Sequence, residues 1–140
     1  MKILVAADGS KFTKRMLDYL SSHGDFLGAQ HRYTVLTVIP PLPSRATAAL
    51  SKKIVQEHEV EGVEKVFKPI RTLLAKRGID AVCVYKVGEP GEEIAQFARK
   101  GGFDLVMMGS HGHGALARMV LGSVVSRVLA SCEVPLLIVR

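Results

Sequence analysis

The segment Ile3-Leu4-Val5-Ala6-Ala7-Asp8-Gly9-Ser10 decides the fold class of this 140-residue chain. Its first five residues are apolar without interruption, which is typical of a strand buried on both faces of a parallel sheet. Asp8 and Gly9 then end the run, and Ser10 is a suitable N-cap for a helix that begins near Lys11. A buried strand that leads directly into a helix predicts an α/β domain.

The alternation of strand and helix continues along the whole chain. The pattern predicts strands at 3–7, 33–39, 81–87, 105–108 and 134–139. It predicts helices at about 11–27, at about 55–76 with a kink or break at Pro69, at about 90–100 and at about 123–131, and a loop at 40–50. We therefore expect one three-layer α/β domain, residues 1–140, with a mostly parallel sheet. Asp8 and the glycine-rich loop after the fourth strand should meet at the carboxyl edge, where such sheets bind ligands.

The composition excludes several classes of protein. Hydrophobic residues make up 48% of the chain and charged residues 23%, which is globular rather than disordered. No apolar stretch approaches the roughly 18–20 residues that span a bilayer, and the apolar start is too short for a signal peptide. We therefore expect a cytoplasmic protein without membrane contact, in which Cys83 and Cys132 are free thiols.

The net charge does not indicate a nucleic-acid-binding protein. Nineteen basic and thirteen acidic residues give a charge of +6, spread evenly along the chain, and tryptophan is absent. Nucleic-acid binders usually concentrate positive charge on one face and supply stacking aromatic residues. We expect a mild attraction to anions and no nucleic-acid partner.

The segment most informative about chemistry is Gly109-Ser110-His111-Gly112-His113-Gly114, which is followed by Gly122-Ser123. Glycines after a buried strand allow positive φ angles, which turn backbone N–H groups toward one point. The helix that starts at Gly122-Ser123 has free N–H groups and a dipole that favour an anion, and Ser123 is a candidate cap. Together these features predict a phosphate site built from the backbone.

Two common phosphate motifs do not fit this loop. Ala115 and Leu116 stand where a Walker A loop has its lysine and its serine or threonine. The dinucleotide fingerprint also fails, because the glycines have the wrong spacing and follow the fourth strand. Without the lysine that stabilises charge on the β- and γ-phosphates, fast phosphoryl transfer is not expected.

The chain resembles the universal stress protein family of the nucleotide-binding type. That family's ATP motif, Gly-x2-Gly-x9-Gly-(Ser/Thr), is matched by Gly109, Gly112, Gly122 and Ser123. Residues 3–10, 87–94 and 134–139 also resemble the family, so the likeness covers the whole chain. It implies a Rossmann-like fold of the adenine nucleotide alpha hydrolase type, with a five-stranded parallel sheet of order 3-2-1-4-5.

The resemblance also implies a binding site for ATP, accompanied by Mg²⁺. In such a site the carboxylate of Asp8 accepts hydrogen bonds from the ribose, the end of the second strand contacts adenine through its backbone, and the glycine motif holds the phosphates. The cofactor-binding residues implied in this way are Ala7, Asp8, Val38, Ile39, Gly109, Ser110, His111, Gly112, His113, Gly122, Ser123 and Val124.

The family's behaviour implies a regulatory function. Its members commonly form homodimers through the last strand, here 134–139, and the implied function is a nucleotide-dependent stress-response module that a further, unidentified protein partner reads. An alternative function is a slow ATPase, or a phosphoryl or nucleotidyl transferase, at the same site. We predict neither a catalytic residue nor a protein ligand to a metal.

Several residues keep a structural alternative. Asp8 also suits the turn before Ser10, and the glycines also suit a tight strand-to-helix connection, but the complete glycine pattern favours ligand contact. His111 and His113 suggest a metal pair or acid–base catalysis, but no third ligand is identifiable, which favours the interpretation that they are solvated loop residues. Arg118 suits either a phosphate contact or a solvated position.

Overall fold

A computed structural model of the chain describes residues 1–114 and 120–140. The strands are β1 Lys2–Ala6, β2 Arg32–Ile39, β3 Ala81–Val87, β4 Leu105–Gly109 and β5 Leu136–Val139. The helices are α1 Lys11–Ser22, α2 Gly24–Leu27, α3 Ser44–Thr47, α4 Lys52–Ala75, α5 Pro90–Gly101 and α6 Ser123–Ser131.

The five strands form one parallel sheet in the order β3-β2-β1-β4-β5. β1 lies at its centre, where Ile3 is level with Tyr33 of β2 and Leu105 of β4. The predicted fold class and strand order are confirmed. Because the strand order reverses at β1, a crevice opens at its carboxyl end, between the loops that follow β1 and β4.

The alternating side chains of β1 enter two separate cores. Ile3 and Val5, both fully buried, pack on the face that α1 and α4 cover. Leu4 and Ala6 pack on the opposite face, which α5 and α6 cover. Burying a large aliphatic side chain contributes about 1.5–3 kcal/mol, so a strand that is apolar on both faces is stable only in the middle layer.

The first helix is shorter than predicted. α1 ends at Ser22, and Gly24–Leu27 forms a separate single turn, whereas the sequence pattern suggested one helix over 11–27. His23 leaves the helical conformation, with φ −119° and ψ 45°. Its N–H donates to Leu20 O and its ring Nδ1 donates to Tyr19 O at 2.8 Å, which closes the end of α1.

Other parts of the helices and strands also differ from prediction. α4 begins at Lys52, where the hydroxyl of Ser51 caps it, and runs unbroken through Pro69, which lies on its exposed face. Of the predicted kink or break at that proline, the break does not occur. The predicted loop 40–50 contains the short helix α3. β5 begins after Pro135, because proline has no N–H to donate to the sheet, although its carbonyl accepts from Val106 N at 2.9 Å.

Over residues 1–114 and 120–140, no helix is both long enough and apolar enough to cross a bilayer.

Candidate functional site

A cavity of about 260 Å³ opens at the carboxyl edge of the sheet, in the crevice between β1 and β4. Its walls come from the ends of β1, β2 and β4, the loops that follow β1 and β4, and the first turns of α1, α5 and α6. The described lining residues are Ala6, Ala7, Asp8, Thr13, Leu36, Val38, Pro90, Ile94, Met108, Gly109, His111, Gly112, His113, Gly114, Gly122, Ser123, Val124 and Val125.

The structure brings ten of the twelve predicted binding residues to this cavity and leaves two outside it. Ile39 packs in the core on the other face of the sheet from Val38, because successive side chains of a strand point in opposite directions. Its carbonyl is already used by Gly88 N at 2.9 Å. Ser110 is 1% exposed, and its N–H donates to Val139 O at 2.8 Å. Both residues bond to the surrounding fold in this way, and neither lines the cavity.

One wall of the cavity is apolar, and sequence reasoning missed most of it. Leu36, Val38, Ile94 and Met108 form this wall on the α5 and α6 side of the sheet. From their spacing in the sequence, these residues are predicted only to lie in the hydrophobic core. They border the cavity only because the neighbouring strands and helices end beside them, and an apolar wall of this kind suits an apolar part of a ligand.

Asp8 is fixed in one orientation at the end of β1. Its Oδ1 accepts from Ser10 N and from the hydroxyl of Thr13, both at 2.9 Å, and its own N–H donates to Thr13 Oγ1 at 3.1 Å. The turn interpretation is thus correct for one carboxylate oxygen. The other oxygen, Oδ2, lies toward Gly112, where an added Cβ would be 2.7 Å from it. That oxygen is the acceptor that Asp8 presents to the cavity.

The N-terminus of α6 has no side-chain cap. Gly122 is the N-cap, with φ −71° and ψ 160°, and Ser123 is the first residue inside the helix, so the prediction that Ser123 caps it was wrong. By contrast, the side chains of Ser10, Ser51 and Glu89 cap α1, α4 and α5.

The free donors of this helix point to an anion site. Gly122 N–H is used, since it donates to Ser110 O at 2.8 Å. The next N–H groups belong to Ser123, Val124 and Val125, which lack helical acceptors by their position and line the cavity. With the dipole of the nine-residue α6 behind them, they favour a negative group at that place.

The motif glycines serve close packing rather than unusual backbone angles. A Cβ on Gly109 would lie 2.6 Å from Phe12 Cβ and 3.0 Å from its carbonyl carbon, and one on Gly122 would lie 3.1 Å from His111 Cα. The expectation of positive φ in this loop was wrong for its described glycines. Within 1–114 and 120–140, the glycines with positive φ lie elsewhere, at Gly9, Gly78 and Gly102.

The two loop histidines contact different parts of the molecule. The His111 ring packs against Phe12 with centroids 5.1 Å apart, and its Nδ1 lies 3.0 Å from Ser110 Oγ. The Nε2 of His113 lies 2.7 Å from the main-chain oxygen of Asp8. Among the described residues, no group of three or more His, Cys, Asp or Glu side chains is arranged to hold a metal ion. Arg118 lies outside the described residues.

Comparison with known sequences gives matches over the full length of the chain. A model of the universal stress protein family matches residues 1–140. The chain is 29% identical over 150 residues to the universal stress protein YxiE of Bacillus subtilis, covering 99% of this chain and 98% of that protein. It is 31% identical over 138 residues to a universal stress protein of Thermus aquaticus, covering 99% and 97%.

Solved structures share the fold. The protein MJ0577 of Methanocaldococcus jannaschii superposes with a TM-score of 0.83 at 27% identity, covering 99% of this chain and 94% of that one. More distant structures include an Arabidopsis thaliana universal stress protein with AMP bound, at a TM-score of 0.70 and 16% identity, covering 99% and 90%. Because the family model covers the chain from residue 1 to residue 140 and a relative 31% identical aligns over 99% of it, this protein belongs to the universal stress protein family.

Proposed function

We propose that this protein binds ATP in the cavity at the carboxyl edge of the sheet and acts as a nucleotide-dependent regulatory module. One observation carries the proposal: the uncapped N-terminus of α6 and a fixed carboxylate, Asp8, line the same cavity. Universal stress proteins of this fold have been solved with AMP, dAMP and cAMP, which supports an adenine nucleotide as the ligand.

The cavity offers a suitable surface to each part of the nucleotide. The base lies against the apolar wall formed by Leu36, Val38 and Ile94. A sugar hydroxyl donates to Asp8 Oδ2, and the phosphates accept from the N–H groups at the start of α6. The binding residues of this proposal are Ala7, Asp8, Val38, Gly109, His111, Gly112, Gly122, Ser123 and Val124, and His113 lies beside them in the cavity wall.

Mg²⁺ enters this proposal with the phosphates. Asp8 supplies the one carboxylate among the described lining residues, and its Oδ1 is already committed to Ser10 and Thr13. A divalent ion is therefore held chiefly by phosphate oxygens and water, which is the usual mode of binding for Mg²⁺.

The charges of the site favour binding over fast turnover. The lining residues in the described part of the chain include no lysine or arginine that would neutralise charge developing on a transferred phosphoryl group. We therefore favour regulation over the alternative of a slow ATPase or a phosphoryl or nucleotidyl transferase. Turnover of ATP well above about 0.1 s⁻¹ would reverse that preference, since ordinary enzymes run near about 10 s⁻¹.

Main-chain bonds connect the site to the edge of the sheet, where a homodimer would form. Gly122 N–H donates to Ser110 O, and Ser110 N–H donates to Val139 O of β5, both at 2.8 Å. A nucleotide that orders the start of α6 therefore also affects the edge strand. We propose that homodimers form through β5 and that a further protein reads the occupied state. The free thiols Cys83 and Cys132 suit a reducing, cytoplasmic location.

Titration calorimetry with ATP tests the proposed function. Asp8→Asn keeps the size of the side chain but replaces one acceptor with a donor, so we expect ATP affinity to fall about tenfold or more. Asp18→Asn, on the exposed face of α1, is the matched control and should bind like the wild type. Equally weak heats for all three proteins would refute ATP binding at this site.

A further inference from the structure

A side-chain hydrogen bond joins the loop after β4 to the loop after β1 at the cavity. His113 Nε2 lies 2.7 Å from Asp8 O, across 105 positions of sequence. A carbonyl oxygen only accepts, so the imidazole carries its proton on Nε2 and donates it. Beside this bond, a Cβ added to Gly112 would lie 2.7 Å from Asp8 Oδ2.

The bond is not a by-product of core packing. His113 is exposed, whereas His111 in the same loop is half-buried against Phe12. The ring of His113 spans from its own loop to the main chain of Asp8, and it also lines the cavity. The contact therefore ties the glycine loop directly to the main chain of Asp8.

We propose that His113 is a positioning residue that sets the glycine loop against Asp8 before the ligand arrives. The inference rests on the proposed nucleotide site and explains how its two loops are held in place before the ligand binds. A nucleotide touches both loops, with its sugar at Asp8 and its phosphates near the glycine loop, so it gains from a fixed distance between them. A nucleoside has no phosphates and engages the Asp8 side alone.

Removing the bond should therefore lower the affinity for ATP more than the affinity for adenosine. A single hydrogen bond of this kind corresponds to about a 2- to 12-fold change in an equilibrium constant. We expect ATP affinity to fall by that factor, while adenosine affinity changes less than about twofold.

Two substitutions distinguish the effect of losing the hydrogen bond from the effect of losing the imidazole ring. The amide nitrogen of glutamine is as many bonds from Cα as Nε2 of histidine, so His113→Gln keeps a donor within reach of Asp8 O. The amide nitrogen of asparagine corresponds to Nδ1 and falls short, so His113→Asn loses the bond. His58→Asn, at an exposed position of α4, is the control for loss of a surface histidine.

The experiment measures ATP and adenosine affinities by calorimetry, and amide hydrogen exchange at 109–114 in the ligand-free protein. We expect His113→Asn to weaken ATP binding and speed loop exchange, with His113→Gln and His58→Asn close to the wild type. The proposal is overturned if both His113 variants lose ATP affinity equally with unchanged loop exchange, because His113 then acts as a direct phosphate ligand. It is also overturned if ATP and adenosine weaken by the same factor.

Failure of the proposed function gives a different result. If the wild type binds neither ATP nor adenosine, nucleotide binding is refuted. In that case, faster exchange in His113→Asn alone would still support the bond as the tie between the two loops, while unchanged exchange would overturn that as well.

Discussion

The two carboxylate oxygens of Asp8 have different roles, one in the fold and one at the cavity. Oδ1 closes the turn into α1 through Ser10 and Thr13, and Oδ2 is directed to Gly112 at the cavity wall. A charged side chain held by two donors has little rotamer freedom left to lose when a ligand binds. The residue that terminates β1 is for this reason also suited to recognise a sugar.

Gly109 tests the packing role of the glycine motif. In Gly109→Ala the new Cβ meets Phe12 Cβ at 2.6 Å and the Phe12 backbone at 3.0 Å, so β4 or α1 must shift. We expect a loss of about 1–3 kcal/mol in the free energy of unfolding, measured by urea denaturation. Gly62→Ala is the control, because it lies in α4 with nothing within 4 Å of an added Cβ and should gain about 0.5–1 kcal/mol. Equal effects of the two alanines would contradict this account.

Tyr33 gives the protein a sensitivity to alkaline pH. Its hydroxyl donates to Leu27 O at 2.5 Å and to Gly28 O at 3.3 Å, and burial raises its pKa from 10.0 to about 12. The folded state thus keeps a proton that the unfolded state loses first. The resulting stabilisation, up to about 3 kcal/mol, is complete below pH 10 and disappears as the pH rises through about 12.

Tyr33→Phe removes this titration. We expect its free energy of unfolding to be about 0.5–1.5 kcal/mol lower at pH 7 and to depend less on pH above 10 than that of the wild type. Thermal melts from pH 7 to 12 measure the difference, with Tyr85→Phe on the edge strand β3 as the control. Parallel pH profiles for wild type and Tyr33→Phe would show that burial of this hydroxyl is not responsible.

Among the elements, α6 has an uncapped N-terminus, which makes the helix less stable but leaves its N–H groups free to bind an anion. Its first N–H groups have no capping side chain, and a glycine N-cap such as Gly122 costs about a few tenths of a kcal/mol relative to a serine or aspartate cap. The same groups face the cavity where an anion is expected. An element that is less stable when empty gains the most from a ligand that supplies the missing acceptors.

Ser123→Asp tests whether the free N-terminus of α6 lowers stability in the empty protein and binds phosphate. A carboxylate at the first position of α6 supplies charge that favours the helix dipole, so we expect the ligand-free protein to gain about 0.3–1 kcal/mol. The same charge repels phosphate, and ATP affinity should fall about tenfold or more. Lys52→Asp makes the corresponding change at the start of α4 and should leave ATP affinity unaltered. Calorimetry that finds ATP affinity unchanged in Ser123→Asp would place the phosphates elsewhere.

Sequence reasoning predicts elements better than the contacts between them. The run at 3–7 predicts a strand buried on both faces, because no other position in a domain accepts apolar side chains on both sides. Residues such as Leu36 and Ile94 look like core in the sequence and line the cavity only because neighbouring elements stop beside them. The close approach of Gly109 to Phe12 is equally invisible, since it depends on how α1 packs against β4. Two neighbouring residues at the end of a strand, such as Val38 and Ile39 of β2, differ in role because they lie on opposite faces of the sheet.

At the scale of the whole molecule, β5 leaves one edge of the sheet open. The carbonyls of Pro135 and Val139 accept hydrogen bonds from the β4 side of the sheet. Because successive residues of a strand direct their backbone groups to opposite sides, the N–H groups of Leu136 and Ile138 point away from β4. All four residues of the strand are half-buried. An apolar edge of this kind favours pairing with another chain, and a second copy of this protein is the partner that the dimer proposal requires.

The two sets of β5 amides provide an internal control for the dimer. We expect hydrogen exchange at Leu136 and Ile138 to slow as protein concentration rises, because dimer contacts cover these groups. Exchange at Leu137 and Val139 should stay slow throughout, since their groups face β4. NMR at two protein concentrations, with sedimentation to confirm mass, measures this. Rapid exchange at Leu136 and Ile138 in a sample that sediments as a dimer would place the interface on another surface.

A crystal structure of the protein grown with excess ATP and Mg²⁺ tests the central claim most directly. We predict density for the nucleotide in the cavity, with phosphate oxygens accepting from the N–H groups of Ser123 and Val124 and a sugar hydroxyl donating to Asp8 Oδ2. A cavity that stays empty, or a nucleotide bound away from both α6 and Asp8, would contradict the account.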